Sequence, residues 1–191
     1  MFAFKNKYYL IIENIKDIDL KKIKLKNKFI IIYRNSSKIQ NTDRLKEFRA
    51  KCRVRRIDFF VANNVKLLTT LKADGLYISS HNKCLNLARF KNYNYQIIGS
   101  AHNVKELNLK KKQGCTTYIF SRLFETNYSY KKGFKGLIKF NLFKQTRKES
   151  FVPLGGIGLN NLNKLKLVNS SSFALLSEIK KKPAVIFSRL F

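Results

Sequence analysis

"FIIIYRNSSKIQNTDRLKEFRAKCRVRRIDFFV", residues 29–61, decides the fold. Its two ends, "FIIIY" (29–33) and "IDFFV" (57–61), are short and almost wholly apolar. Runs of that length suit strands buried on both faces, as in a parallel sheet. Between them "TDRLKEFRAKC" reads as a helix, with Thr42 as its cap and Glu47 close to its first turn. Strand, helix, strand is the repeating unit of a parallel α/β architecture.

The same alternation continues outward in both directions. "YYLII" (8–12) precedes it; "GLYIS" (75–79), "YQIIG" (95–99), "TYIFS" (117–121), "FVPLG" (151–155) and "FALLS" (173–177) follow. "NVKELNLKKK" predicts a helix opening at Asn103, with Val104 and Leu107 on one face and Gly114 past its end. "NLNKLKLV" and "EIKKKPAVIFSRLF" predict two more, Pro183 starting or kinking the last. "ENIKDIDLKKIKLKNK" has mixed apolar spacing and predicts a short or irregular connection. Eight strands alternating with eight connections predict an α/β fold, a single (β/α)8 TIM barrel, with a doubly wound sheet as the alternative. With no linker or break in composition, residues 1–191 are expected to form one domain.

Hydrophobic residues make up 45% of the chain, which excludes a disordered polymer. No apolar run reaches the ~20 residues of a membrane span, and the N-terminal stretch lacks a signal-peptide pattern. Cys52, Cys84 and Cys115 are far apart, with no CxxC spacing, and read as reduced thiols of a cytoplasmic protein. The net charge of +29 would suit nucleic acid, but it is spread along the chain, and abundant Lys, Asn, Ile, Phe and Tyr share AT-rich codons. The expected partners are therefore small anionic substrates, which such a field attracts, with neither nucleic acid nor membrane.

Three of the eight glycines, Gly155, Gly156 and Gly158, fall within "GGIG" after the seventh strand. In barrels of this type, the loops after strands seven and eight often form a phosphate site. Gly155 and Gly156 would let backbone N–H groups face an anion, and Ser177 would add a hydroxyl from the end of strand eight.

With these residues placed, the chain resembles the thiamine phosphate synthase family, whose fold is shared by the thiazole tautomerases of the same pathway. "ADGLYISSHN" (73–82) is similar to the family's "ADGVHLGQxD", and "IIGSAHNVKEL" (97–107) to "IIGxSxHNxxE". "GCTTYIFSRLFET" (114–126) is similar to "GADYIGxGPIFxT". "VPLGGIGLNNLNKL" (152–165) with "FALLSEI" (173–179) is similar to the "GGI" and "VxSAI" phosphate motifs. The resemblance implies a transferase that joins hydroxymethylpyrimidine diphosphate to thiazole phosphate with loss of diphosphate. Such chemistry calls for Mg2+ with Arg or Lys to hold the leaving group.

Carried over residue by residue, the resemblance makes Arg34, Ser100 and His102 the catalytic candidates. It gives thiazole phosphate to Gly155, Gly156 and Ser177, and the diphosphate and substrate to Arg34, Asn63, Thr126 and Lys131 (or Lys132). It also exposes departures. The two metal-binding Asp positions are Asn63 and Asn82, neutral amides that lower the expected Mg2+ affinity. A Lys position after strand two is Ser36, and Arg122 stands where the family has proline. The alternatives are a tautomerase-like isomerase using His102 as acid–base, or a phosphate-binding paralogue without catalysis.

Overall fold

The computed structural model describes residues 6–23, 25–35, 41–126 and 136–176. Eight strands form one sheet: β1 (Lys7–Ile12), β2 (Phe29–Tyr33), β3 (Asp58–Ala62), β4 (Gly75–Ile78), β5 (Gln96–Ala101), β6 (Thr117–Ser121), β7 (Ser150–Leu154) and β8 (Ser172–Leu175). Every ladder is parallel. The order β7-β6-β5-β4-β3-β2-β1-β8 brings β7 and β8 against each other, so the sheet curls into a nearly closed (β/α)8 barrel. The eight runs picked out in the sequence are these eight strands, with ends shifted by a residue or two.

Because both faces of each strand are covered, alternate residues serve two separate cores. Tyr9, Ile11, Ile32, Phe60, Tyr77 and Ile98 belong to the set that fills the barrel interior. Leu10, Ile31, Phe59, Leu76, Tyr118 and Phe151 face outward into the layer beneath the helices. Gly75 makes room inside: a Cβ there would fall 2.2 Å from the Phe60 ring and 2.3 Å from the Gln96 carbonyl oxygen. The Phe60 ring takes the place that a side chain on β4 would have filled.

The α-helices are α1 (Thr42–Val54), α2 (Val65–Thr70), α3 (Val104–Lys112) and α4 (Gly136–Gln145). The cap of α1 is Asn41 rather than Thr42, since the Asn41 side chain accepts from the Arg44 amide, and the acid in the first turn is Asp43 rather than Glu47. Asn64 and Asn103 cap α2 and α3 in the same way, each shielding an amide left unpaired at a helix start. The first connection is indeed irregular, with short 3-10 turns at Ile15–Asp17 and Leu20–Lys22. "NLNKLKLV" forms a 3-10 helix, Leu162–Leu167, and not the α-helix its spacing predicts. Another 3-10 helix, Leu85–Tyr93, joins β4 to β5. The predicted final helix lies outside the described residues.

One tie fastens α1 to the barrel's N-terminal end. Arg49 donates to Asp74 at 2.7 Å, and the other oxygen of Asp74 accepts from the Phe59 amide at 2.6 Å. Asp74 belongs to the "ADG" of the first motif, yet it works at the end opposite the strand C-termini, where barrel residues serve stability.

Candidate functional site

In a parallel barrel all strand C-termini open at one mouth. The side-chain alternation that fills the interior continues past the last apolar layer. It brings Arg34 after Ile32, Ser79 after Tyr77, Ser100 after Ile98 and Ser121 after Ile119 to that mouth. The top of the interior is thus polar where the layers below are apolar.

Tyr77 is the buried centre of this layer. The Arg34 side chain and Ser100 lie near its hydroxyl. Burial pushes the Tyr77 phenol above its ordinary value, and nearby Ser100 and the Arg34 charge oppose it only in part. The group is therefore a neutral hydroxyl at working pH. Arg34 also meets Glu13, just past β1, with Nη2 3.4 Å from Oε1. Just past β2 and paired with Glu13, Arg34 presents a cation at the mouth. Glu13 and Tyr77 were not singled out from the sequence. The period-two alternation of β1 and β4 was the signal that could have found them.

Asn63 and Asn82 are brought together. Asn63 sits at the end of β3 with φ of +56°, a left-handed conformation that asparagine tolerates. Its Oδ1 accepts from the Ser79 amide at 3.0 Å and from Asn82 Nδ2 at 3.1 Å. Its Nδ2 donates to Ser79 Oγ at 2.9 Å. Asn82 Oδ1 accepts from the Cys84 amide at 2.9 Å. Both lone-pair directions of Asn63 Oδ1 are taken, and that of Asn82 is turned into its own loop. Among the described residues, no three His, Cys, Asp or Glu side chains cluster as metal ligands. This donor set does not fit Mg2+, which wants one or two carboxylates and near-octahedral geometry.

His102 lies just past β5 at the same end, exposed, and it is committed to the start of α3. Its Nδ1 is 2.9 Å from Glu106 Oε2, and its amide donates to that oxygen at 2.8 Å. Asn103 closes the cap by accepting from the Glu106 amide and donating to Glu106 Oε1. Burial pushes the Glu106 carboxyl up, but hydrogen bonds from His102 and Asn103 outweigh it and leave the group below its usual value.

On the opposite rim, Arg122 follows β6 and donates to Thr126 Oγ1 at 2.9 Å. Gly155 and Gly156 both have positive φ, and the adjacent loop crowds them. A Cβ on Gly156 would lie 2.3 Å from the Glu125 carbonyl oxygen, and one on Gly155 would lie 2.9 Å from Arg122 Cγ. The loop after β6 thus needs these glycines before any ligand does. Asn161 ties the turn by donating to the Gly156 carbonyl at 2.7 Å and accepting from the Gly158 amide at 2.9 Å. Ser36, Lys131, Lys132 and Ser177 lie outside the described residues.

Fold and site together define a parallel (β/α)8 barrel whose polar and cationic side chains gather at the C-terminal mouth. The family model described as thiamine monophosphate synthase matches residues 8–179. The chain belongs to that family. Curated thiamine-phosphate synthases similar to it include those of Latilactobacillus sakei, 26% identical over 72% of this chain and 63% of theirs, and Clostridioides difficile, 25% identical over 65% and 60%. That of Methanococcus vannielii is 22% identical over 68% of this chain and 63% of its own length. The chain thus spans about three-fifths of the length of these relatives. Among solved structures, a thiamine phosphate pyrophosphorylase from Pyrococcus furiosus superposes with a TM-score of 0.69 at 18% identity, covering 99% of this chain and 98% of that one. A structure titled native KDPGal superposes at 0.64 with 11% identity over 95% and 94%. At such identities the superpositions establish the barrel and say nothing of the reaction. No helix among the described residues is long and apolar enough to cross a membrane.

Proposed function

We propose that the chain is a divergent thiamine phosphate synthase-like protein that takes hydroxymethylpyrimidine diphosphate and thiazole phosphate at the barrel mouth. The observation that carries this reading is Arg34, which follows β2 at the mouth and pairs with Glu13. In the reaction, the bond from the pyrimidine methylene carbon to the diphosphate oxygen breaks, and the oxygen leaves with the electron pair. The thiazole nitrogen lone pair then forms the new carbon–nitrogen bond. Arg34, Arg122 and Lys131 would meet the negative charge that grows on the leaving group. Ser100 with Tyr77 would face the pyrimidine, and Thr126 would contact its diphosphate. Gly155, Gly156 and Ser177 would hold the thiazole phosphate.

A second reading is favoured by the Asn63–Asn82 pair. Its amides are satisfied by each other and by the backbone, which suits a phosphate-ligand binder without catalysis. The tautomerase reading has less behind it, since the His102 ring is turned onto the Glu106 carboxylate of the helix cap. One experiment separates them. Purified protein is incubated with both substrates, thiamine phosphate is quantified, and thermal unfolding is followed with thiazole phosphate alone. Product formation is the expected result. A rise in Tm without product selects the binder, because a ligand held only by the native state stabilises it. Neither effect would remove both readings.

A further inference from the structure

We propose that the Asn63–Asn82 pair is an amide clasp standing in for a divalent cation. It joins the loops after β3 and β4, so that the mouth takes its anionic ligand with no divalent cation present. The anion half rests on the reading under Proposed function; the clasp half does not.

Three observations carry it. First, the clasp closes through Asn63 alone, which bonds to the Ser79 amide, the Ser79 hydroxyl and Asn82 Nδ2. A cation bridging these loops would do the same job of fixing their separation. Second, the far loop is braced from behind by a buried ammonium. Lys110 of α3 is wholly buried. Its Nζ donates to the Asn82 carbonyl at 2.7 Å and to Gln113 Oε1 at 2.9 Å. Gln113 donates in turn to the carbonyls of Asn82 and Cys84 at 3.0 and 2.9 Å. Two donors already occupy the Asn82 carbonyl, so it has no lone pair left to offer a cation. Third, the chain carries 40 Lys and Arg against 11 Asp and Glu. A field of that sign depletes metal cations near the mouth and concentrates phosphates there.

The test needs no substrate for its first arm. Mn2+ alone is titrated into the parent protein and into the Asn63→Asp/Asn82→Asp variant, with bound metal followed by electron paramagnetic resonance. Asp tolerates the left-handed backbone at 63 as Asn does. The parent is expected to bind no Mn2+ at the mouth. The variant should bind at least ~10-fold tighter, as two carboxylates enter the donor set. Equal binding by both proteins overturns the clasp, as does a folded variant indifferent to Mn2+. Should the double variant fail to fold, Asn82→Asp alone, which spares the Ser79 bonds, takes its place with the same expected direction.

In the second arm inorganic diphosphate is added to the parent, in EDTA and in Mg2+, and Tm is read. The expected shift is as large in EDTA as in Mg2+. A shift confined to Mg2+ overturns the metal-free mouth. No shift in either condition overturns the anion half and the Proposed function with it, and the Mn2+ comparison still decides the clasp.

Discussion

Tyr77 places a buried hydroxyl just beneath the polar layer of the mouth, with Ser100 and the Arg34 charge near it. Arg34, paired with Glu13, presents charge at the mouth. Arg34→Met should remove a charge-assisted contact of about 1.5–3 kcal/mol, weakening thiazole phosphate or diphosphate binding by roughly 10- to 100-fold in calorimetry. His102 and Glu106 give a second prediction. The Glu106 carboxyl lies below its usual value in the folded protein, so it binds protons more readily when unfolded. Its contribution to stability is thus complete above the unfolded carboxyl pKa of about 4.3 and is lost as pH falls through the folded value. Glu106→Gln should lower Tm at neutral pH, and the gap from the parent should close in acid. That Arg34, Ser100 and His102 stand at the strand C-terminal end was legible because the motifs carrying them follow predicted strands. Tyr77 and Glu13 were not, because a buried Tyr in "GLYIS" and a Glu after "YYLII" look like ordinary strand and turn residues. Only strand alternation, which puts both on the inward face, sets them apart from their neighbours.

Strands were the most legible elements, since burial on both faces leaves an unbroken apolar run. Helix starts were less so, because Asn and Thr both cap, and at 41–42 they stand side by side. The 3-10 connections were hidden for a different reason. Apolar spacing that suits an α turn also suits a 3-10 turn, as at Leu162–Leu167. Two substitutions test how elements are joined. Asp74→Ala would remove the carboxylate that Arg49 and the Phe59 amide share, for a loss of about 1.5–3 kcal/mol in urea unfolding. Gly75→Ala would push a methyl into the Phe60 ring and the Gln96 carbonyl of the neighbouring strand. Such overpacking costs about 1–3 kcal/mol, with more expected here because one neighbour is backbone.

For the whole molecule, the excess of positive charge works against compactness. Raising NaCl from low ionic strength to about 0.15 M, where the Debye length is ~8 Å, should raise Tm and weaken anion binding together. A fall in Tm over that range would mean that local ion pairs outweigh global repulsion. The barrel itself has a joint. Hydrogen-bonded ladders run the long way round from β7 to β8, and among the described residues these two strands touch without a ladder of their own. Pro153, within β7, has no amide hydrogen to offer. The glycine turn at 155–156 emerges from one lip of that joint, and the end of β8 forms the other. Deuterium should therefore enter the amides of β7 and β8 sooner than those of β2 and β3. A bound phosphate that spans the lips would act as a keystone, slowing exchange along the whole seam rather than at its own contacts alone.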